Sequence, residues 1–240
     1  MLEQDYFVYV VNQSGIIIDV NNLAEGSIHV HRAGYNPTLQ NGAEELVWGH
    51  SSDDQYYSAT AATHNLVSSS ASDTAVQVYI QGLDSSWNLQ SETVTLNGTT
   101  AVNTTKQYIR VLQTIVVDGH EPVGNITIKD STNVVAYIAI GFGRGLKGAY
   151  TIPAGYTGYL LKGSMSAGKG GDCMVKMKIR QFGGTWVTGH VAQAYQGQYT
   201  YDFPVPLVVP EKSDIKVTAT STSTGTSVGC NFDIVLVPNP

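Results

Sequence analysis

Hydrophobic and polar positions alternate along most of this chain. In residues 76–81, Val76, Val78 and Ile80 fall on one side, and Gln77, Tyr79 and Gln81 on the other. The alternation breaks at Gly82, Asp84, Ser85, Ser86 and Asn88 and resumes over residues 93–96. A period of two with small polar residues at the break predicts an antiparallel hairpin. The same pattern predicts a long buried strand at residues 108–117 and a strand pair at 125–129 and 134–140. Two further strands are expected at 5–11 and 15–20, around Asn12, Gln13 and Ser14, and short ones at 27–31 and 44–48. Beyond residue 148 the pattern predicts strands at 156–165, 174–182, 185–191, 199–209, 215–219 and 232–237. Pro204, Pro206 and Pro210 cannot donate to a ladder and belong at an edge or a bend. No segment sustains a helical period beyond about two turns, and strands recurring every 8 to 12 residues or so suggest sandwiches or jelly rolls.

The expected fold class is therefore all-β, with two successive antiparallel β-sandwich or jelly-roll-like domains. The segment GFGRGLKG at 141–148 places four glycines in eight residues and marks the boundary. The division it implies is an arm of N-terminal strands at 1–40, a sandwich at 41–143 and a second, jelly-roll-like sandwich at 149–240. The run 78–87 can be laid over 177–186, each ending on a tryptophan, although any two hairpins share that much.

Composition narrows the role. Charged residues make up 13% of the 240, about half the share of an average domain, and Ser, Thr, Asn, Gln and Gly replace them. Low surface charge favours association, so a homo-oligomer is expected. The net charge of −6 without a basic cluster argues against nucleic acid as a ligand. The opening MLEQDYFVYVV lacks a basic stretch, so no secretory signal is expected, and no apolar run is long enough to span a membrane as a helix. Without an export signal, Cys173 and Cys230 are expected as buried free thiols.

Candidate chemistry is sparse. GFGRGLKG follows an apolar strand as a phosphate loop would, but position 146, where the third glycine should stand, is Leu, and no Lys-Ser/Thr pair closes it. It reads as a linker, with Arg144 and Lys147 at an interface. His29 and His31 share one face of a strand and form a possible metal pair, though a solvated or interface-facing pair is the simpler reading. No nucleophile motif is present, and neither a cofactor, a bound metal nor an enzymatic activity is expected. The 14 tyrosines offer more. Tyr56, Tyr57, Tyr150, Tyr156, Tyr159, Tyr195, Tyr199 and Tyr201 lie in or beside loops and strand ends, where tyrosine suits subunit contact, carbohydrate stacking or ordinary packing. Of these, Tyr56, Tyr57, Tyr156, Tyr159, Tyr199 and Tyr201 join Arg144 and Lys147 as the candidate interface.

Three stretches, NLVSSSASDTA at 65–75, IQGLDSSWNLQSETVTLNGTTAVNTT at 80–105 and YIRVLQTIVV at 108–117, resemble structural proteins of marine tailed phages. IPAGYTGYLLKGSMSAGKG at 152–170, FPVPLVVPEKSDIKV at 203–217 and FDIVLV at 232–237 resemble the C-terminal end of the same proteins. The resemblance implies a β-rich virion component without enzymatic activity, located in the particle and assembled in the host cytoplasm. Three roles follow as expectations. The first is an auxiliary capsid protein decorating the head as a symmetric oligomer, a trimer by preference, on the major capsid protein or other virion proteins. The second is a tail or neck component, such as a fibre-like receptor-binding protein that touches a host surface glycan. The third, from another class, is a carbohydrate-active or metal-dependent enzyme using His29 and His31.

Overall fold

The structure is a computed structural model that describes residues 10–11, 17–18, 25–40, 42–50, 57–117, 119–168 and 171–240. Among these it holds antiparallel sheets and no helix, with 61% of the chain in strands. β1 (Val10–Val11) and β2 (Ile17–Ile18) pair antiparallel with each other. The remaining residues of the strands expected at 5–11 and 15–20 lie outside the described set. Next come β3 (Ile28–Leu39) and β4 (Glu44–Leu46). The middle of the chain supplies β5 (Asn65–Ser68), β6 (Gln77–Leu83), β7 (Leu89–Thr95), β8 (Val102–Asn103), β9 (Arg110–Val116), β10 (Ile126–Asp130) and β11 (Asn133–Ile138). The rest supplies β12 (Ala149–Thr151), β13 (Tyr156–Ala167), β14 (Asp172–Arg180), β15 (Val187–Tyr195), β16 (Gln198–Val209), β17 (Asp214–Ser221) and β18 (Thr226–Pro238).

The middle strands form one unit, with the sheet β11-β10-β5-β8 and the sheet β7-β6-β9. Their inward residues meet in one core: Leu66 from β5, Val78 and Ile80 from β6, Val111 from β9, Ile126 and Ile128 from β10 and Ile138 from β11 are all buried. The alternation of residues 76–81 thus puts its apolar side inward, as strand geometry dictates. A loop pin accompanies the core: the buried Asp73 accepts Ser68 Oγ and the backbone N–H groups of Val123 (3.0 Å) and Gly124 (3.0 Å).

The second unit stacks the sheet β12-β17-β14-β15 on the sheet β16-β13-β18-β3. Its core takes Leu160, Val175, Val209, Ile215, Val217, Phe232 and Ile234. Here the chain departs from the expected division. Of the arm expected at 1–40, residues 28–39 do not stand apart, because β3 pairs with β18 from Leu39↔Thr226 to Ile28↔Leu236. β4 pairs with β17, so residues 44–46 also leave the expected 41–143 domain. The middle sandwich is therefore an insertion between β4 and β12 of a sandwich whose two parts are far apart in sequence. Burial is the reason: β3 carries Arg32, Gly34, Asn36 and Leu39 inward and supplies a strand that β18 would otherwise lack. The Asn, Gly and Pro residues at 34–37 suggested a shorter strand, ending at residue 31. An edge strand tolerates them; the register slips between Thr226 and Val228, beside Pro37.

Gly34 and Glu45 lock this arrangement. A Cβ on Gly34 would lie 2.4 Å from Val47 O and 2.5 Å from Gly148 N, so the facing backbones touch with no side chain between them. Glu45 is buried and accepts hydrogen bonds from Asn36 Nδ2 (3.1 Å) and Gln40 N (2.6 Å), tying β4 to β3. Glu44 meets Lys176 (2.9 Å) and Lys178, and accepts Thr218 Oγ1 (2.8 Å). Burial raises its carboxyl, but these partners outweigh it and hold the pKa near about 2.

Gly34→Ala should therefore destabilise the whole chain by about 1–3 kcal/mol, because neither backbone partner can rotate away. Urea unfolding measures it; an unchanged midpoint would mean that β3 does not dock against residues 47 and 148.

Candidate functional site

Two features of the second sandwich bear on function: an open sheet edge and a charged junction with the inserted unit. β15 ends one sheet and β16 ends the other, on the same side of the sandwich. β16 is blunted. Its register with β13 breaks between Leu160 and Lys162, so residues 203–206, which include Pro204 and Pro206, fall outside the ladder. Prolines and bulges are the ordinary guards of an edge. β15 has one bulge, at Gly189, and no proline. Its nine residues, VTGHVAQAY, include no Lys, Arg, Asp, Glu or Pro. Val187 (63% exposed), Val191 and Tyr195 (66%) project into solvent from it, and Val205 and Val208 of β16 are exposed as well. Behind them, Tyr199, Tyr201 and Phe203 close the sandwich around His190, whose ring centroid is 4.7 Å from that of Tyr201.

The junction is built on Asp214 at the start of β17. Asp214 is buried and accepts Arg110 Nε at 2.9 Å, Thr151 Oγ1 at 2.7 Å and Arg180 Nη2 at 2.6 Å. Arg110 belongs to β9 of the inserted unit and is itself only 7% exposed. It also donates to the carbonyls of Ser58 and Ile109, both at 2.8 Å. Aromatic rings cover the cations. Arg110 lies 4.9 Å from the Trp87 ring centroid and 5.1 Å from that of Tyr57. Arg180 lies 4.7 Å from both Tyr57 and Trp186, and Lys216 Nζ lies 4.4 Å from Trp186. Trp87 is held at φ 67°, an unusual conformation for a bulky residue, with its N–H on Asp84 O and its carbonyl accepting Ala154 N–H. A cleft of about 350 Å³ opens beside this cluster, between Tyr57, Trp87, Phe182, Arg180 and Lys212.

Lys147 pins the other strands of the inserted unit. Its ammonium donates to Val111 O (2.9 Å) in β9 and Val135 O (2.8 Å) in β11. Burial, with the Arg32 and Arg110 guanidinium groups, pushes it down to about 7 against the pull of Asp214.

The expected interface residues divide accordingly. Tyr199 and Tyr201 stand at the open edge, half-buried, with their rings turned on His190. Tyr156 and Tyr159 belong to β13, inside its sheet between β16 and β18, and are half-buried. Tyr57 is half-buried over Arg110 and Arg180, so it serves the junction within the chain. Lys147 is buried, which corrects its expected place on an interface; its stem and charge are used inside the protein. Arg144 is half-buried and bridges to Ile115 of β9. Tyr56 lies outside the described residues. The sequence reading missed Val187, Val191, Val205 and Val208; the uncharged run 187–195 was the available signal.

His29 and His31 both turn to Asp233 on the neighbouring β18: His31 Nδ1 is 2.7 Å and His29 Nε2 3.2 Å from the same carboxylate oxygen. Burial raises the Asp233 carboxyl, but the two imidazoles outweigh it and leave it below its ordinary value. Among the described residues no group of three His, Cys, Asp or Glu side chains could hold a metal ion. Cys173 and Cys230 are free and buried.

No protein-family model matches the chain, and no curated protein matches it. Among solved structures it shows distant similarity to viral capsid proteins and to a phage-derived exported protein. One is the T13 particle of infectious bursal disease virus, at 12% identity over 89% of this chain and 71% of that one, with a TM-score of 0.27. The exported protein XepA of PBSX gives 8% identity over 97% of this chain and 100% of that one, with a TM-score of 0.22. The Gx strain of infectious bursal disease virus gives 12% identity over 90% and 82%, with a TM-score of 0.20.

Two outcomes follow for the junction. Asp214→Ala should cost about 3–5 kcal/mol, because it strands the buried Arg110 charge. A loss below about 1 kcal/mol in urea unfolding would mean that water already serves that guanidinium. For Lys147, the unfolded chain keeps its proton to about 10.4 while the folded chain releases it near 7, so stability rises with pH above 7. The slope reaches at most about 1.4 kcal/mol per pH unit and is cleanest below about 8.5, before the raised Cys173 and Cys230 thiols oppose it. Lys147→Met should flatten that slope; an identical slope in the variant would assign the titration to another group.

Proposed function

We propose that this chain is a structural subunit of a phage particle, an auxiliary protein that decorates the head shell as a symmetric homo-oligomer. The observation that carries the reading is the edge of β15, which one bulge at Gly189 interrupts but no charge or proline guards. A nine-residue strand with an open ladder edge, no charge to repel a partner and exposed Val187, Val191 and Tyr195 is a place where another strand adds. A monomer that met only water would be selected to guard such an edge with charge or proline, as Pro204 and Pro206 guard β16. The low overall charge and the resemblance of residues 65–117 and 152–237 to phage structural proteins support the same reading.

In this reading the protein catalyses nothing and works by area. Copies join along β15, and the oligomer sits across several capsid subunits. A contact of roughly 1,600 Å² per pair is the usual size for a specific interface, and symmetry multiplies weak contacts with the shell into tight attachment. A trimer suits a position of local threefold symmetry on the head, with the major capsid protein as partner.

Sedimentation of the purified chain tests the assembly step. The wild type should run as an oligomer, and Val191→Glu with Tyr195→Lys should run as a folded monomer with an unchanged circular dichroism spectrum. A wild type that is monomeric at micromolar concentration removes the β15 contact. Cryo-electron microscopy of intact particles tests the location. Density repeated over the head supports decoration, whereas density at one vertex or along the tail makes the chain a neck or tail component.

A further inference from the structure

The cleft beside Asp214 holds groups that the junction does not use. At about 350 Å³ it has the size of a small-molecule site. Three cations line it, Arg110, Arg180 and Lys212, against the one carboxylate of Asp214. The cleft thus carries a local excess of positive charge in a chain whose net charge is −6. Arg110 is buried and fully engaged with Asp214 and two carbonyls. Arg180 is not. It gives Nε (3.1 Å) and Nη2 (2.6 Å) to Asp214, which leaves three of its five N–H donors without an acceptor among the described residues. The Tyr57 and Trp186 rings, each with its centroid 4.7 Å away, fix its guanidinium in place. Lys212 is half-buried and pairs with no carboxylate among the described residues; its ammonium lies 5.7 Å from the Phe182 ring centroid.

An open aromatic face stands in the same cleft. Phe182, in the β14–β15 connection, is 65% exposed, and its ring meets that of Trp87 at 5.5 Å and 84°. Gly183 and Gly184 follow it and carry no side chain to cover the ring; a Cβ on Gly183 would meet nothing within 4 Å. Among the described residues only four besides glycine have a positive φ, and two of them, Trp87 (67°) and Lys212 (59°), line this cleft. Such backbones persist where the surroundings impose them, and they gather at binding sites.

A ligand that fits is apolar on one face and anionic at one end. A pyranose ring that carries a carboxylate has both properties. Its C–H face packs on an aromatic ring, and its carboxylate accepts from guanidinium and ammonium donors. Gln181, exposed on the same cleft, supplies an amide for a ring hydroxyl. An inorganic anion or a short aliphatic acid would leave Phe182 bare. The near-perpendicular Phe182 and Trp87 rings offer no parallel slot for a planar base.

We propose that this cleft is a binding site for an acidic sugar, a carboxylate-bearing pyranose such as a uronic acid residue of a polysaccharide. Phe182 stacks on the ring, and Arg180 and Lys212 hold the carboxylate. The site depends neither on the place of the subunit in a particle nor on the β15 contact.

Saturation-transfer NMR on the full chain with sodium glucuronate tests the site in any oligomeric state, so its failure is separate from a failure of the β15 contact. Glucuronate should take up saturation at its ring C–H protons, with a Kd on the order of 1 mM. Glucose, which lacks the charge, and acetate, which lacks the ring, should bind at least about tenfold more weakly. Sodium chloride should weaken glucuronate binding. Phe182→Ser removes an exposed ring, and Lys212→Gly suits the left-handed backbone at that position, so both variants should fold. Phe182→Ser should lower glucuronate affinity about tenfold. Lys212→Gly should lower it about as much and leave glucose unchanged. No saturation at about 100 mM glucuronate, a hundredfold excess over the expected Kd, overturns the site, as does a response that both variants retain. Inorganic phosphate or adenosine monophosphate that displaces glucuronate at a lower concentration than glucuronate itself needs would overturn the assignment to a sugar.

Discussion

The carboxylate of Asp214 is the point on which the two sandwiches agree. One buried anion accepts from Arg110 of the inserted unit, from Arg180 of β14 and from Thr151 of β12. Such a cluster is costly to bury, and its worth lies in geometry, because a bidentate guanidinium and carboxylate meet in only a narrow range of orientations. The apolar contacts around it are less demanding. Leu83, Ile109 and Leu112 of the inserted unit merge with the core of the second sandwich, which would permit several neighbouring dockings. The ionic cluster selects one of them, and the rings of Tyr57, Trp87 and Trp186 shield it from water.

The junction has a consequence for the edge. β17 carries Asp214, and β14 lies between β17 and β15, so the open strand is two ladders away from the clasp. Fixing β17 against the inserted unit fixes the direction in which β15 faces relative to the rest of the protein. The oligomer proposed above needs this, since an error of orientation at one contact prevents closure of a symmetric assembly. Rigidity at the junction and openness at the edge are thus complementary.

Much of this fold was legible in the residues, and the limits are instructive. The hairpin of residues 77–95 was plain because a period of two runs through residues 76–81, breaks on small polar residues at 84–88 and resumes over 93–96. The prolines of β16 were readable because a residue without an N–H has few places in a sheet. The destination of β3 was not readable. Strand pairing over nearly the whole length of the chain, from Ile28 to Leu236, leaves no local mark, and Gly34, which allows the close approach, looked like a breaker together with Pro37. Lys147 misled for the opposite reason: a lysine in a glycine-rich linker suggested an interface, and only the three-dimensional arrangement brings Val111 O and Val135 O to it.

The same reasoning explains why the two tryptophan-ended hairpins look alike without requiring common descent. Trp87 closes the β6–β7 turn and Trp186 lies in the β14–β15 connection, and the two rings cover the two guanidinium groups that share Asp214. Each hairpin tip must present a flat, apolar, polarizable face to a cation at the same junction, and tryptophan does this best. The similarity lies in the demand that the clasp makes on its neighbours. Trp87 shows how strong that demand is: the residue keeps a left-handed backbone so that its indole can reach Arg110, and the hydrogen bonds to Asp84 and from Ala154 hold it there.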